Sequence, residues 1–124
     1  MKIAAIAAVI LLGGVVMFQV ALALGAPLGR AAWGGQHGGV LPKRLRIASG
    51  AAVVVYSVII LAILASADLI DAGGWIPGAG RPVMWTLTGL FTLGGLANLA
   101  SRSKIERYWA AVSFAIAGCC AIIA

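Results

Sequence analysis

Polar residues interrupt the chain at three places and leave four uncharged apolar runs between them, 3–24, 47–67, 83–100 and 108–124. A helix rises about 1.5 Å per residue and needs about 20 apolar residues to cross a hydrocarbon core roughly 30 Å thick. The runs hold 22, 21, 18 and 17 residues, so the first two suffice and the last two only just. The pattern predicts an all-α membrane protein, a four-transmembrane-helix bundle, in a single domain over 1–124. Gly25 and Pro27 mark the end of the first span, a C-terminal glycine followed by a residue that cannot extend the helix. The second span is expected to open after the basic run Lys43-Arg44-Leu45-Arg46, and the fourth to stand nearly upright or to borrow its basic lead-in.

The first run also has features of a signal peptide: Lys2 ahead of an apolar stretch, then Ala21-Leu22-Ala23-Leu24-Gly25-Ala26. It exceeds the usual 7 to about 15 residues of such a core, and it is read as a retained helix.

Composition agrees with a membrane setting. With 63% hydrophobic and 10% charged residues and a mean hydropathy of +1.10, the chain has too little polar surface to cover a water-soluble core. The net charge of +6 would suggest nucleic acid in a soluble protein, but seven of the nine Lys and Arg residues lie in two short loops. Arg30, Lys43, Arg44 and Arg46 follow the first span and Arg102, Lys104 and Arg107 the third, against Lys2 and Arg81 on the other side. Cytoplasmic loops collect such residues. Loops 25–46 and 101–107 are therefore expected in the cytoplasm, with both termini and the 68–82 loop outside, in a multi-pass protein of the cell inner (plasma) membrane. The same bias argues against an antiparallel dual-topology dimer. Trp75 and Trp85 then fall near the outer boundary, and Trp33, Tyr108 and Trp109 near the inner one.

In lipid, helices associate through small residues and a few interhelical hydrogen bonds. Ala4, Ala8, Gly13, Gly14, Gly50, Gly89, Gly94 and Gly95 are the expected points of close approach. Thr88, Thr92, Gly95 and Asn98 share an arc of about 120° on the third helix, which should face inward. The threonine hydroxyls can bond their own helix carbonyls. The amides of Gln19 and Asn98 cannot be satisfied that way, so both should face protein or water.

The loop GAPLGRAAWGGQHGGVLPKRLR holds six glycines and the only histidine, His37. Its glycine spacing matches neither a P-loop nor a dinucleotide fingerprint. Gly34, Gly35, Gln36 and His37 suit a tight turn or close approach of backbone to a ligand, or else a flexible connector whose cations meet anionic headgroups. At the assigned depth Gln19, Ser49, Asn98 and Ser113 share one level. A polar pocket is expected there, roofed by the glycine-rich loop and ringed by Arg30, Arg44 and Arg107, with water, an anionic headgroup or a small anionic solute as occupant.

Other chemistry is sparse. Cys119 and Cys120 are adjacent, lack the spacing of a metal or redox pair, and read as apolar fillers. Asp68 and Asp71 sit at the outer end of the second span, and no apolar run carries an ionisable residue of the kind proton-coupled transport uses. No metal or cofactor is expected. A two-plus-two repeat, from the basic starts at Arg46 and Arg107, is too short to use.

In size and helix count the chain resembles small multidrug exporters and fluoride channels, but it lacks the first-span glutamate of the former and the glycine-arginine and asparagine-serine-phenylalanine patterns of the latter. The stretches GAPLGRAAWGGQHGGVLP and NLASRSKIERYW resemble uncharacterised small four-span bacterial membrane proteins, which brings no activity with it. Three functions stay open, in order: a lipid- or partner-binding membrane protein with a basic cytoplasmic face; an oligomeric transporter or channel for a small solute; and a membrane enzyme at the inner interface with His37 as its acid-base group. The expected partners are membrane lipids, with anionic headgroups among them, and a second copy or another membrane protein.

Overall fold

Helices account for most of the backbone in a computed structural model of the chain, which describes residues 1–71 and 80–124. Four α-helices follow in order: α1 Lys2–Ala23, α2 Lys43–Ser66, α3 Arg81–Leu99 and α4 Lys104–Ile123. Two short 3-10 turns, Gly29–Ala31 and Trp33–Gly35, lie between α1 and α2, and no strand occurs among the described residues. Three helices, α1, α2 and α4, are long and apolar enough to cross a membrane; α3 is not among them. Its 19 residues carry Pro82, Thr86, Thr88, Thr92 and Asn98, which dilute its apolar character. Trp75, expected at the outer boundary, lies outside the described residues.

Two helix starts differ from the apolar runs for a local reason. α2 begins at Lys43, ahead of the expected residue 47, because Pro42 fixes an N-cap conformation (φ −60, ψ 154) and its carbonyl accepts from the Leu45 and Arg46 amides. Lys and Arg are good helix formers, so a basic run does not delay the helix. α4 begins at Lys104 and thus takes in its basic lead-in. Ser103 is its N-cap, accepting from the Glu106 amide at 3.3 Å. Twenty residues give α4 about 30 Å of length.

The core forms where one stripe from each helix meets: Ala5, Ala8 and Leu12 of α1, Ile59 and Ile63 of α2, Met84, Leu87 and Phe91 of α3, and Ile116, Ala117 and Cys120 of α4. The spacings of three and four residues put each set on one helical face. α1 packs against both α2 and α4, and α3 against α4, whereas α2 and α3 touch only sparingly. The bundle therefore stays parted along the α2–α3 side.

Close approach by small residues occurs at fewer places than expected. Gly95 is buried, and a Cβ there would fall 2.6 Å from the Phe114 ring, so only glycine lets α3 and α4 meet at this level. Ala8 is also buried. Gly13, Gly14, Gly50 and Gly89 instead face open space, where a Cβ would meet nothing within 4 Å. These four are a correction to the expected contacts: the helices turn other faces to each other. Large apolar side chains cover the outside, among them Ile3 (84% exposed), Ile10, Met17, Val54, Leu93 and Ile122. That inverts the arrangement of a water-soluble bundle.

Candidate functional site

The loop between α1 and α2 folds back onto the helix ends. Leu22, Ala32 and Leu41 form a small second core with Phe18 and Leu45 against it. Arg46 Nε donates to the Ala23 carbonyl at 3.1 Å, satisfying an end carbonyl of α1 while its guanidinium lies over Gly25. Trp33 sits at φ 50, unusual for a residue with a Cβ. Its indole N–H donates to the fully buried Ser49 hydroxyl at 3.0 Å, which anchors the loop on α2.

The same loop is latched to the start of α4. The Ser103 hydroxyl donates to the Arg30 carbonyl at 2.6 Å, and the Gly34 amide donates to Glu106 Oε1 at 3.3 Å. Gly35, at φ 68, lies so close to Ser103 that a Cβ would come within 2.6 Å of the serine Cβ. The two basic loops, 25–46 and 101–107, therefore meet at one end of the bundle.

Beneath this latch lies a chamber of about 210 Å³. Its walls are Phe18 and Gln19 of α1, Ala52 and Tyr56 of α2, Phe91 and Asn98 of α3, and Glu106, Trp109 and Ser113 of α4; Ala31, Ala32 and Trp33 form the roof. Phe18 and Trp109 pack with ring centroids 4.9 Å apart, joining α1 to α4. Two acceptors on the walls, Gln19 Oε1 and Glu106 Oε2, are buried without a hydrogen-bond partner among the described residues. Buried polar atoms are nearly always paired, so such a couple is informative. The described lining includes one carboxylate, Glu106, and no Lys or Arg.

A second, apolar cavity of about 460 Å³ runs from the chamber along the parting between α2 and α3. Ala48, Ala51, Val55 and Ile59 line it from α2, and Leu90 and Gly94 from α3. It shares Ala52, Tyr56, Phe91, Asn98 and Ser113 with the chamber as common walls. The Tyr56 and Phe91 rings, stacked with centroids 6.4 Å apart, stand where the two spaces adjoin.

Of the residues singled out from sequence, Gln19, Asn98 and Ser113 come together on the chamber wall, while Ser49 lies outside it, bound to Trp33. Thr88 and Thr92 return their hydroxyls to the carbonyls of Met84 and Thr88 at 2.8 and 2.7 Å. Arg30, Arg44 and Arg107 are exposed and do not line the chamber. Gly34 and Gly35 act in the latch, and Gln36 is exposed. His37 also lies off the chamber, half-buried, its Nδ1 without a partner among the described residues. The roof is thus the segment just before the glycine run.

Glu106 as a wall residue is not an expectation of the sequence, since a carboxylate in a basic loop reads as solvated. A signal is present all the same: Ser103-Lys-Ile-Glu106 has the spacing of a capping box at the start of a helix. Here the carboxylate turns from its own helix end to the loop amide of Gly34. No group of three or more His, Cys, Asp or Glu residues able to hold a metal occurs among the described residues. No family model, curated protein or solved structure matches the chain.

Proposed function

We propose that this chain is a small multi-pass membrane protein that binds one amphipathic molecule, its polar head in the chamber and its apolar tail in the α2–α3 cleft. The carrying observation is that a polar chamber and an apolar cavity share walls at Ala52, Tyr56, Phe91, Asn98 and Ser113. Ligand sites commonly combine an apolar lining with a few convergent polar groups, and this pair of spaces separates the two by position. The cleft lies between helices that touch sparingly, which suits lateral entry from a lipid phase.

In this reading all four helices span the bilayer. α3 supports it with Leu93, Leu96 and Leu99, each more than half exposed. The latched basic end faces the cytoplasm, and its exposed cations meet anionic headgroups. A shallow groove lined by Ala23, Lys43, Arg46 and Ile47 offers one place for that contact. Conduction through a single copy has less support, since Leu12, Ile63, Met84, Leu87 and Ile116 pack an apolar layer through the bundle core. Catalysis by His37 has less still, since it lies off the chamber.

Native mass spectrometry of the chain from a mild detergent tests the proposal. One bound amphiphile per chain is expected, and Gly94→Leu, which fills the cleft, should reduce its occupancy at least fivefold. A wild-type chain that carries no adduct, or a variant that keeps it in full, contradicts the binding role.

A further inference from the structure

The chamber's wall chemistry points to the class of head it accepts; this inference rests on the amphiphile-binding reading. We infer that the head carries a protonated primary amine, seated against Glu106 and Gln19. Two buried acceptors, Glu106 Oε2 and Gln19 Oε1, face no donor among the described residues. A buried acceptor left unpaired is destabilising, so a ligand that donates hydrogen bonds is favoured over one that only accepts them. Glu106 brings negative charge, and the described walls hold no Lys or Arg to balance it.

Those observations separate the head classes. A phosphate or carboxylate entering the chamber would be repelled by Glu106 and would offer no donor to the two unpaired acceptors. A neutral hydroxyl donates only once and brings no positive charge to pair with the carboxylate. A quaternary ammonium has the charge but no N–H to give. A primary ammonium supplies three donors and a positive charge, and Trp33, Trp109 and Tyr56 on the walls add aromatic faces that attract a cation. The exposed arginines of the same end lie outside the chamber and are left to bulk headgroups. The amine belongs either to a membrane lipid of the ethanolamine type or to a free single-chain lipophilic amine, and both present the same group to Glu106.

The test uses the full chain in a neutral maltoside detergent, with occupancy read by native mass spectrometry. One arm titrates dodecylammonium against dodecanol; the other titrates an ethanolamine-headed phospholipid against a choline-headed one with the same acyl chains. A preference of about tenfold or more for the primary amine is expected in at least one arm, from a charge-assisted hydrogen bond, and the arm that shows it identifies the source. Glu106→Gln keeps an oxygen for the Gly34 amide and removes the charge. It should bring the preference down to about twofold, and a far-UV circular dichroism spectrum and an unfolding midpoint like those of the wild type report that the variant is folded. Gln19→Met should weaken the amine about threefold. Equal binding of all heads that is still lost in Gly94→Leu overturns the amine assignment and leaves the amphiphile site standing, as does an amine preference unaltered by Glu106→Gln. Failure of every probe to bind overturns both.

Discussion

Gly35 shows how single positions hold the roof over the chamber. At φ 68 an L-residue is disfavoured, and the 2.6 Å approach to Ser103 leaves no room for a methyl group. Gly35→Ala should therefore cost about 2 kcal/mol of stability. Gly38→Ala, where the structure leaves open space at an ordinary φ, should stay within about 0.5 kcal/mol of wild type. Unfolding midpoints of the two variants in mixed micelles make the comparison, and equal midpoints would sink the latch as described. At this scale the sequence is partly legible. Gln19 and Asn98 stand out because a buried amide must find partners, and both line the chamber. The bond from the Gly34 amide to Glu106 and the Trp33–Ser49 bond are not legible, since each depends on how the loop folds back against a helix.

Among the elements, the apolar runs locate every helix, and the errors fall at ends and faces. Run 47–67 understates α2 because hydropathy marks where lipid begins, whereas Pro42 marks where the helix begins. Glycine position along a helix does not say which face it occupies relative to a neighbour, and so Gly95 packs tightly while Gly89, nearly two turns away, faces open space. α3 is the element whose placement matters most, since its length and apolar character fall short of the other three. If it crosses the bilayer, its two ends at Arg81 and Leu99 lie on opposite sides. An alkaline phosphatase fused after Asp71 should be active in intact cells, and one fused after Ala100 inactive. Equal activity of the two fusions would remove α3 as a span.

The whole molecule is an inverted bundle with a polar chamber set toward its basic end. Exposed Ile, Leu and Val residues surround a core built around small side chains such as Ala5, Ala8, Ala117 and Cys120. Composition alone makes the membrane environment legible, because 63% hydrophobic residues cannot be hidden in 124 positions. The cleft is not legible. It arises from how far α2 stands from α3, a consequence of α1 and α4 packing that no local pattern encodes. Chamber and cleft together carry the functional reading, so electron density for the chain crystallised from a lipid phase tests it most directly. Elongated density is expected, with its head between Gln19 and Glu106 and its tail between Ala52 and Gly94. A map in which α2 and α3 close against each other, with the chamber filled by protein side chains, would contradict it.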